Sequence, residues 1–390
     1  MACNSLFRKV LIFFTFLTLL FLFFPVETHA IYDPLSKPNN KFGIHILSPD
    51  EITQAADLVD SSGGDWGYVT IPIQAYDKNL VKWQKFMDDA RKYHLIPIIR
   101  LATNGDYFNT AVWQKPNFAD ILDFANFLNS LDWPTQNRYV IIYNEVNRGD
   151  EWGGSPDPAG YAQLLNYSIS TFKSKNPGFF ILSAGLDNGA DNVPGLFMNE
   201  YEFMQEMNQA VPGIFNQVDG LASHSYPNPG FTQPPTSLGQ RSIDSFRFEQ
   251  QLAKSLSNKN LPVFITETGW SADKISDTQI ADYYKQSFST IWTDPSVIAV
   301  TPFLLKAGAG PFSQFSMLDS AGQKNNRYTT IKNYPKVKGE PETVTKKVLG
   351  EQISKFNLPV KVFKNENENS NVENKTTAAK ILLKWLLNIR

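Results

Sequence analysis

Two apolar runs in the sequence each end on a glutamate. Val140, Ile141, Ile142 and Tyr143 run without a break and stop at Asn144 and Glu145; residues 262–266 stop at Glu267. Short apolar runs of this kind, closed by polar residues, read as strands buried on both faces. A carboxylate at the end of such a strand is costly to bury unless it is paired or used. If the two strand ends face one another, one carboxyl group can give a proton to a leaving oxygen. The other, ionised, can attack or activate water, which is what cleavage of a glycosidic bond requires. A spacing of about 5 to 5.5 Å allows direct attack, with retention of anomeric configuration.

Positioning such a pair requires a scaffold that brings distant strand ends together. Strands are expected at 42–47, 66–71, 95–99, 138–145, 179–184, 218–223, 262–266 and 298–305. Apolar residues at helical spacing lie between them: Ile52, Ala56 and Val59; Leu80, Trp83, Met87 and Ala90; Phe118, Leu122, Ala125 and Leu128; Tyr161, Leu164, Leu165 and Phe172. Helical stretches follow at 200–209, around Phe246 and Leu252, from Ile280 to Ile291, and, most weakly marked, at 327–334. Ser48 with Glu51 and Ser276 with Gln279 have the spacing of capping boxes. Pro97 lies inside the third expected strand, an awkward place for a central strand. Eight alternations predict parallel strands with crossover helices, the size of a single-domain (β/α)8 TIM barrel of the α/β class. A doubly wound open sheet would show a glycine-rich phosphate loop after the first strand; residues 48–51 are Ser, Pro, Asp and Glu. In a barrel the active site forms at the carboxyl ends of the strands. The polar and aromatic residues there are His45, Arg100, Asn144, Glu145, His224, Tyr226, Glu267 and Trp270.

Asn144 and Glu145, with Asn147 just after, resemble the acid/base motif of glycoside hydrolase clan A. This is the group of retaining (β/α)8 enzymes that includes cellulase-like endoglycosidases, mannanases and β-xylosidases. Residues 265–270, Ile-Thr-Glu-Thr-Gly-Trp, look like the clan's nucleophile strand, and His224 with Tyr226 is similar to the place where a tyrosine hydroxyl holds the nucleophile. The resemblance spans about residues 41–335 and points to no single family in the clan. It implies Glu145 as general acid/base, Glu267 as nucleophile, Asn144 as the contact to the sugar 2-hydroxyl, and Tyr226 as a donor to Glu267. Arg100 would also support Glu267, hold a substrate hydroxyl, or form a salt bridge with either glutamate. His45 and His224 are open between substrate contacts and hydrogen-bonded spacers. The clan often carries a tryptophan at the end of the eighth strand, where this chain has Phe303, Leu304, Leu305 and Lys306. The sugar floor is therefore expected from Trp270 or Phe303. Trp66, Trp113 and Trp152 are each open between core and sugar platform, and Trp152, in the polar loop after Glu145, is the expected platform.

The 390 residues are 42% hydrophobic and 19% charged, with a formal net charge of -2, which argues against a nucleic-acid partner. Residues 1–30 have the basic, apolar and small-residue order of a secretory signal, with an uncleaved anchor and membrane tether as the alternative. Cys3, the sole cysteine, lies in that segment, so the body has no disulfide and no cysteine-based metal site. No cofactor and no metal is expected. Residues 31–338 form the barrel, 339–377 a polar linker, and 378–390 a short amphipathic helix too short to span a bilayer. The expectation is an exported or cell-envelope monomer, a retaining glycoside hydrolase acting on a β-linked oligo- or polysaccharide. The alternative is a non-catalytic glycan-binding or surface interaction protein on the same scaffold. Sugar, linkage and exo or endo action are not set by these residues.

Overall fold

A computed structural model of the chain describes residues 31–345, apart from Phe108 and Ala309. The expected signal segment and carboxyl-terminal helix lie outside these residues, as does most of the expected linker. Among the described residues no helix is long and apolar enough to cross a membrane.

The strands are β1 (Gly43–His45), β2 (Gly67–Gln74), β3 (Leu95–Ala102), β4 (Arg138–Ile141), β5 (Phe179–Leu182), β6 (Leu221–His224), β7 (Val263–Glu267) and β8 (Val297–Val300). The helices are α1 (Ile52–Val59), α2 (Leu80–Lys92), α3 (Phe118–Asn129), α4 (Pro158–Lys175), α5 (Glu200–Ala210), α6 (Ile214–Gln217), α7 (Ser245–Ser257), α8 (Asp277–Ser289) and α9 (Asn326–Asn333). All strand pairs are parallel, in ladders β1 to β5 and β6 to β8. Parallel bridges between Leu182 and Gly220 and between Phe42 and Val300 join the two ladders at both seams. The ring closes as the expected (β/α)8 barrel.

Period-2 alternation explains the unbroken apolar runs. Ile96 and Ile98 of β3, Tyr139 and Ile141 of β4, Phe180 and Leu182 of β5, and Phe264 of β7 fill the barrel interior. The residues between them, such as Leu95, Ile99, Val140, Ile181 and Ile265, pack outward against the helices. Pro97 is tolerated because β3 pairs with β4 only from Ile98 onward, so the proline faces one ladder rather than two.

Ser48 and Glu51 form the expected capping box, at a 3-10 turn leading into α1. Ser276 caps α8 through the Gln279 amide N–H, but the Gln279 side chain turns away to the Tyr283 hydroxyl, 2.7 Å, so the reciprocal half of that box is missing. Residues 339–344, read from sequence as the start of the linker, are bound to the amino-terminal end of the barrel. The N–H groups of Gly339, Glu340 and Val344 donate to the carbonyls of Asp65, Pro38 and Pro134 at 2.9, 2.9 and 3.0 Å. The polar composition hid this attachment because backbone groups make it.

Phe264 sits among the rings of Tyr139, Phe180 and Tyr68, at centroid distances of 5.3, 5.8 and 6.4 Å. Phe264→Ala should cost about 3–5 kcal/mol of stability by denaturant unfolding, because closed-ring strands cannot collapse into the void. A loss under ~1 kcal/mol would contradict a packed interior.

Candidate active site

The fourth strand is shorter than its apolar run suggests. Pairing ends at Ile141, and the chain then passes through two non-glycine residues with left-handed backbones, Tyr143 at φ 68° and Glu145 at φ 34°. Such conformations cost of order 1–3 kcal/mol each and persist only where the surroundings enforce them. Here the N–H of Ile142 donates to Leu182 O, that of Glu145 to Gly185 O, and that of Arg148 to Glu145 O, at 3.1, 2.9 and 2.9 Å. The turn lifts Asn144 and Glu145 over the barrel mouth. Asn147, next to the motif, is a brace: its amide bridges Asp187 O and Met198 O and accepts from the Asp187 N–H.

Glu267 arrives by a different device. Val263 and Ile265 face outward and Phe264 inward, so strict alternation would send Glu267 out with Ile265. Ser223 pairs with Ile265, but the next residue, His224, pairs with Glu267. The extra residue, Thr266, makes a bulge that re-aims Glu267 into the mouth.

There the two carboxylates meet. A carboxylate oxygen of Glu145, one of Glu267 and a ring nitrogen of His224 lie within 4.8 Å of one another. Arg100 follows Ile96 and Ile98 on the inward face of β3. Its Nη1 donates to Glu267 Oε1 at 2.5 Å and to Asn144 Oδ1 at 2.6 Å. The Tyr226 hydroxyl donates to Glu267 Oε2 at 3.0 Å. Burial, and then the charges of Glu267 and Glu145, push the Tyr226 pKa well up, so that hydroxyl keeps its proton.

His224 Nδ1 lies 3.0 Å from Glu145 Oε1. Burial opposes charge on this imidazole, but the neighbouring Glu267 and the hydrogen bond to Glu145 outweigh it, and its pKa is raised. The ring lies against Gly185, where any Cβ would collide with it. His45, fully buried, has Nε2 3.6 Å from Glu267 Oε1, and burial with the charge of Arg100 holds its pKa well below the ordinary value. Both histidines lie behind the carboxylates rather than on the cavity wall. His224 is hydrogen-bonded, as the spacer reading had it, whereas neither ring nitrogen of His45 has a hydrogen-bond partner among the described residues.

The mouth opens into a cavity of about 360 Å³ lined by Arg100, Asn144, Glu145, Tyr226 and Glu267. Two expected sugar contacts are not in it. Trp270 is buried against Tyr283, Tyr284 and Trp292, with its Nε1 donating to Gln233 O at 2.8 Å. Trp152 is buried edge-on between Tyr143 and Tyr161. Both indoles wedge behind their loops, where apolar burial outweighs exposure. Phe303, the alternative floor, does line the cavity, together with Tyr107, Trp113, Phe231, Phe312 and Phe315.

Sequence reasoning also missed the charged rim. Arg148 binds Asp150 through two nitrogens, at 3.1 and 2.7 Å, and Asp187 at 3.0 Å, and its Nε lies 3.8 Å from Glu145 Oε2. Glu151, on the same cavity wall, has its pKa raised to about 7 by burial and by the nearby Glu145. Their position directly after Asn144 and Glu145 was the available signal. Glu145, His224 and Glu267 could in principle bracket a cation. The guanidinium groups of Arg100 and Arg148 already supply positive charge to both carboxylates, so the donor set does not suit one.

No family model and no curated protein sequence matches the chain. Solved structures do match in fold. A family 39 glycoside hydrolase from Bacteroides cellulosilyticus superposes with a TM-score of 0.54 at 16% identity, over 77% of this chain and 64% of its own length. A family 39 β-xylosidase from Caulobacter crescentus gives 0.55 at 15% identity, over 76% and 71%. A GH5_18 enzyme from Streptomyces cattleya, solved with GlcNAc, gives 0.53 at 16%, over 76% and 80%. The chain thus spans a little under two thirds of the first of these. The barrel is a fold shared with these glycoside hydrolases.

The geometry makes Arg100 and Glu267 a coupled buried pair. Arg100→Met alone should lose about 3–5 kcal/mol of stability, because it leaves a carboxylate buried without its partner. Combined with Glu267→Gln, the loss should fall well short of the sum of the single losses. Additivity within ~0.5 kcal/mol in denaturant unfolding would contradict the coupling.

Proposed function

We propose that this protein is a retaining glycoside hydrolase that cleaves a β-linked glycan by double displacement. The observation that carries the reading is the pair of carboxylates within 4.8 Å in unlike surroundings. Glu267 accepts from Arg100 and Tyr226, two donors that bind a carboxylate and fix its direction, and its side chain is 9% exposed. Glu145, 15% exposed, has one oxygen on His224 and the other 3.8 Å from Arg148 at the rim. This asymmetry suits a nucleophile and an acid/base respectively.

In the first step a Glu267 oxygen attacks the anomeric carbon while the Glu145 proton passes to the leaving oxygen, giving a glycosyl ester and a free alcohol. In the second, Glu145 takes a proton from water, the water oxygen attacks the anomeric carbon, and Glu267 leaves as carboxylate. The Asn144 amide, with its oxygen held by Arg100, is placed to bind the sugar 2-hydroxyl, a contact that strengthens in the transition state. The β linkage is supported by the fold's company, which includes the β-xylosidase above and an exo-β-1,4-mannosidase with a TM-score of 0.54 at 16% identity. The cavity lining holds the carboxylates of Glu145, Asp150, Glu151, Asp187 and Glu267 against only Arg100 and Arg148, which favours an uncharged glycan over a uronate. Action outside the cytoplasm belongs to the same proposal and rests on residues 1–30.

Glu267→Ala should abolish hydrolysis of every substrate in a panel of aryl β-glycosides and β-glucan, mannan and xylan. Glu145→Ala should lose several orders of magnitude on poor leaving groups and far less, in the glycosylation step, on dinitrophenyl glycosides, which need no proton. Wild-type rates in either variant, or binding of glycan by the wild-type protein with no release of reducing ends, would overturn the assignment.

A further inference from the structure

Trp113 stands apart from the other tryptophans of the described residues. Trp83, Trp133, Trp152, Trp270 and Trp292 are fully buried, and Trp66 stacks on His94, 4.8 Å away, near the amino-terminal ends of the strands. Trp113 is half-buried and lines the cavity that holds the carboxylate pair. Trp66 is half-buried too, so it is the place of Trp113 on the cavity wall that sets it apart.

The ring is held in place. The Trp113 backbone N–H donates to Asp150 O at 2.7 Å, and the Gly153 backbone N–H donates to Trp113 O at 2.9 Å. These two bonds strap the residue to the loop that follows Glu145. On one side the ring rests against Gly105, where a Cβ would stand 2.6 Å from Trp113 Cζ3. On another it meets Tyr107, centroids 5.7 Å apart and planes tilted by 36°. Lys115, two residues on, pairs with Asp157 of the same neighbouring loop. A ring packed against Gly105 and Tyr107 on a backbone so anchored gives little conformational entropy away on binding.

Its side of the cavity is also defined. Phe231 and Phe315 pack on Tyr226, at 5.0 and 6.0 Å, and Phe303 packs on His45 at 5.1 Å, so those rings stand on the nucleophile side. Trp113 is tied to the acid/base loop, and the acid/base protonates the oxygen of the departing sugar.

We infer that Trp113 is the stacking platform for the sugar on the leaving-group side of the scissile bond, so that the substrate spans at least two sugar rings. The inference rests on the glycosidase reading above and names a specificity determinant within that site. The face of a pyranose ring carries C–H groups that fit an aromatic surface, while its equatorial hydroxyls reach the charged rim at Arg148 and Glu151.

The test compares β-linked gluco-, manno- and xylo-disaccharides with the corresponding glycosyl fluorides, which have no departing sugar. Trp113→Ala should lower the ratio of kcat/KM for disaccharide over fluoride about tenfold, chiefly through KM, and Trp113→Phe should restore much of it. Equal losses on both substrate types, or an unchanged ratio, would overturn the inference while leaving the glycosidase reading intact. Calorimetric titration of the same disaccharides and of their monosaccharides decides it without turnover. The affinity advantage of disaccharide over monosaccharide should vanish in Trp113→Ala, and its survival would overturn the proposal even if the wild-type protein hydrolyses nothing.

Discussion

One buried ion pair organises the mouth of the barrel. Arg100 reaches Glu267 at 2.5 Å and Asn144 at 2.6 Å, so a single guanidinium binds the ends of β3, β4 and β7. Tyr226 and His224 add the end of β6 from the other side. A buried pair is a poor source of net stability, because desolvation takes back most of the Coulomb gain. Its value lies in direction: with both oxygens of Glu267 engaged, the carboxylate has one orientation, and the same guanidinium holds the Asn144 amide oxygen.

The same constraint makes sense of the strained backbone opposite. Tyr143 and Glu145 adopt left-handed conformations because a regular continuation of β4 would carry Glu145 along the strand axis instead of over the mouth. The hydrogen bonds to Leu182 and Gly185 that hold the turn come from β5 and the residues just beyond it. Gly185 must also lack a side chain for His224 to lie where it meets Glu145. A strand end, a bulge and a glycine thus cooperate to set two carboxylates face to face, a precision that rigid barrel strands support better than loops.

Much of this was legible in the sequence. The apolar runs and helical spacings gave the barrel, and inward alternation through Ile96 and Ile98 already points Arg100 into the mouth. The pair Glu145 and Glu267 stood out because buried strand ends rarely carry carboxylates without cause. The bulge at Thr266 was not legible: pattern alone would have turned Glu267 outward, and only its motif neighbours argued otherwise. The expectations for Trp152 and Trp270 failed for a related reason. Trp152 and Trp270 lie close in sequence to the glutamates, but proximity along the chain does not say which side of a loop an indole takes. Trp113 reaches the cavity through backbone bonds to a loop more than thirty residues later, a long-range contact with no local signature.

The central claim is that Glu267 is the nucleophile, fixed by Arg100 and Tyr226 for attack on an anomeric carbon. The most direct measurement is mass spectrometry of the protein after incubation with a panel of 2-deoxy-2-fluoro-β-glycosyl fluorides, whose electron-poor sugar slows release of a glycosyl ester. The account predicts a mass gain of one fluorosugar, located by peptide sequencing on Glu267 and absent from Glu267→Gln. A label on another carboxylate, or turnover of natural substrate with inversion of the anomeric centre, would contradict it.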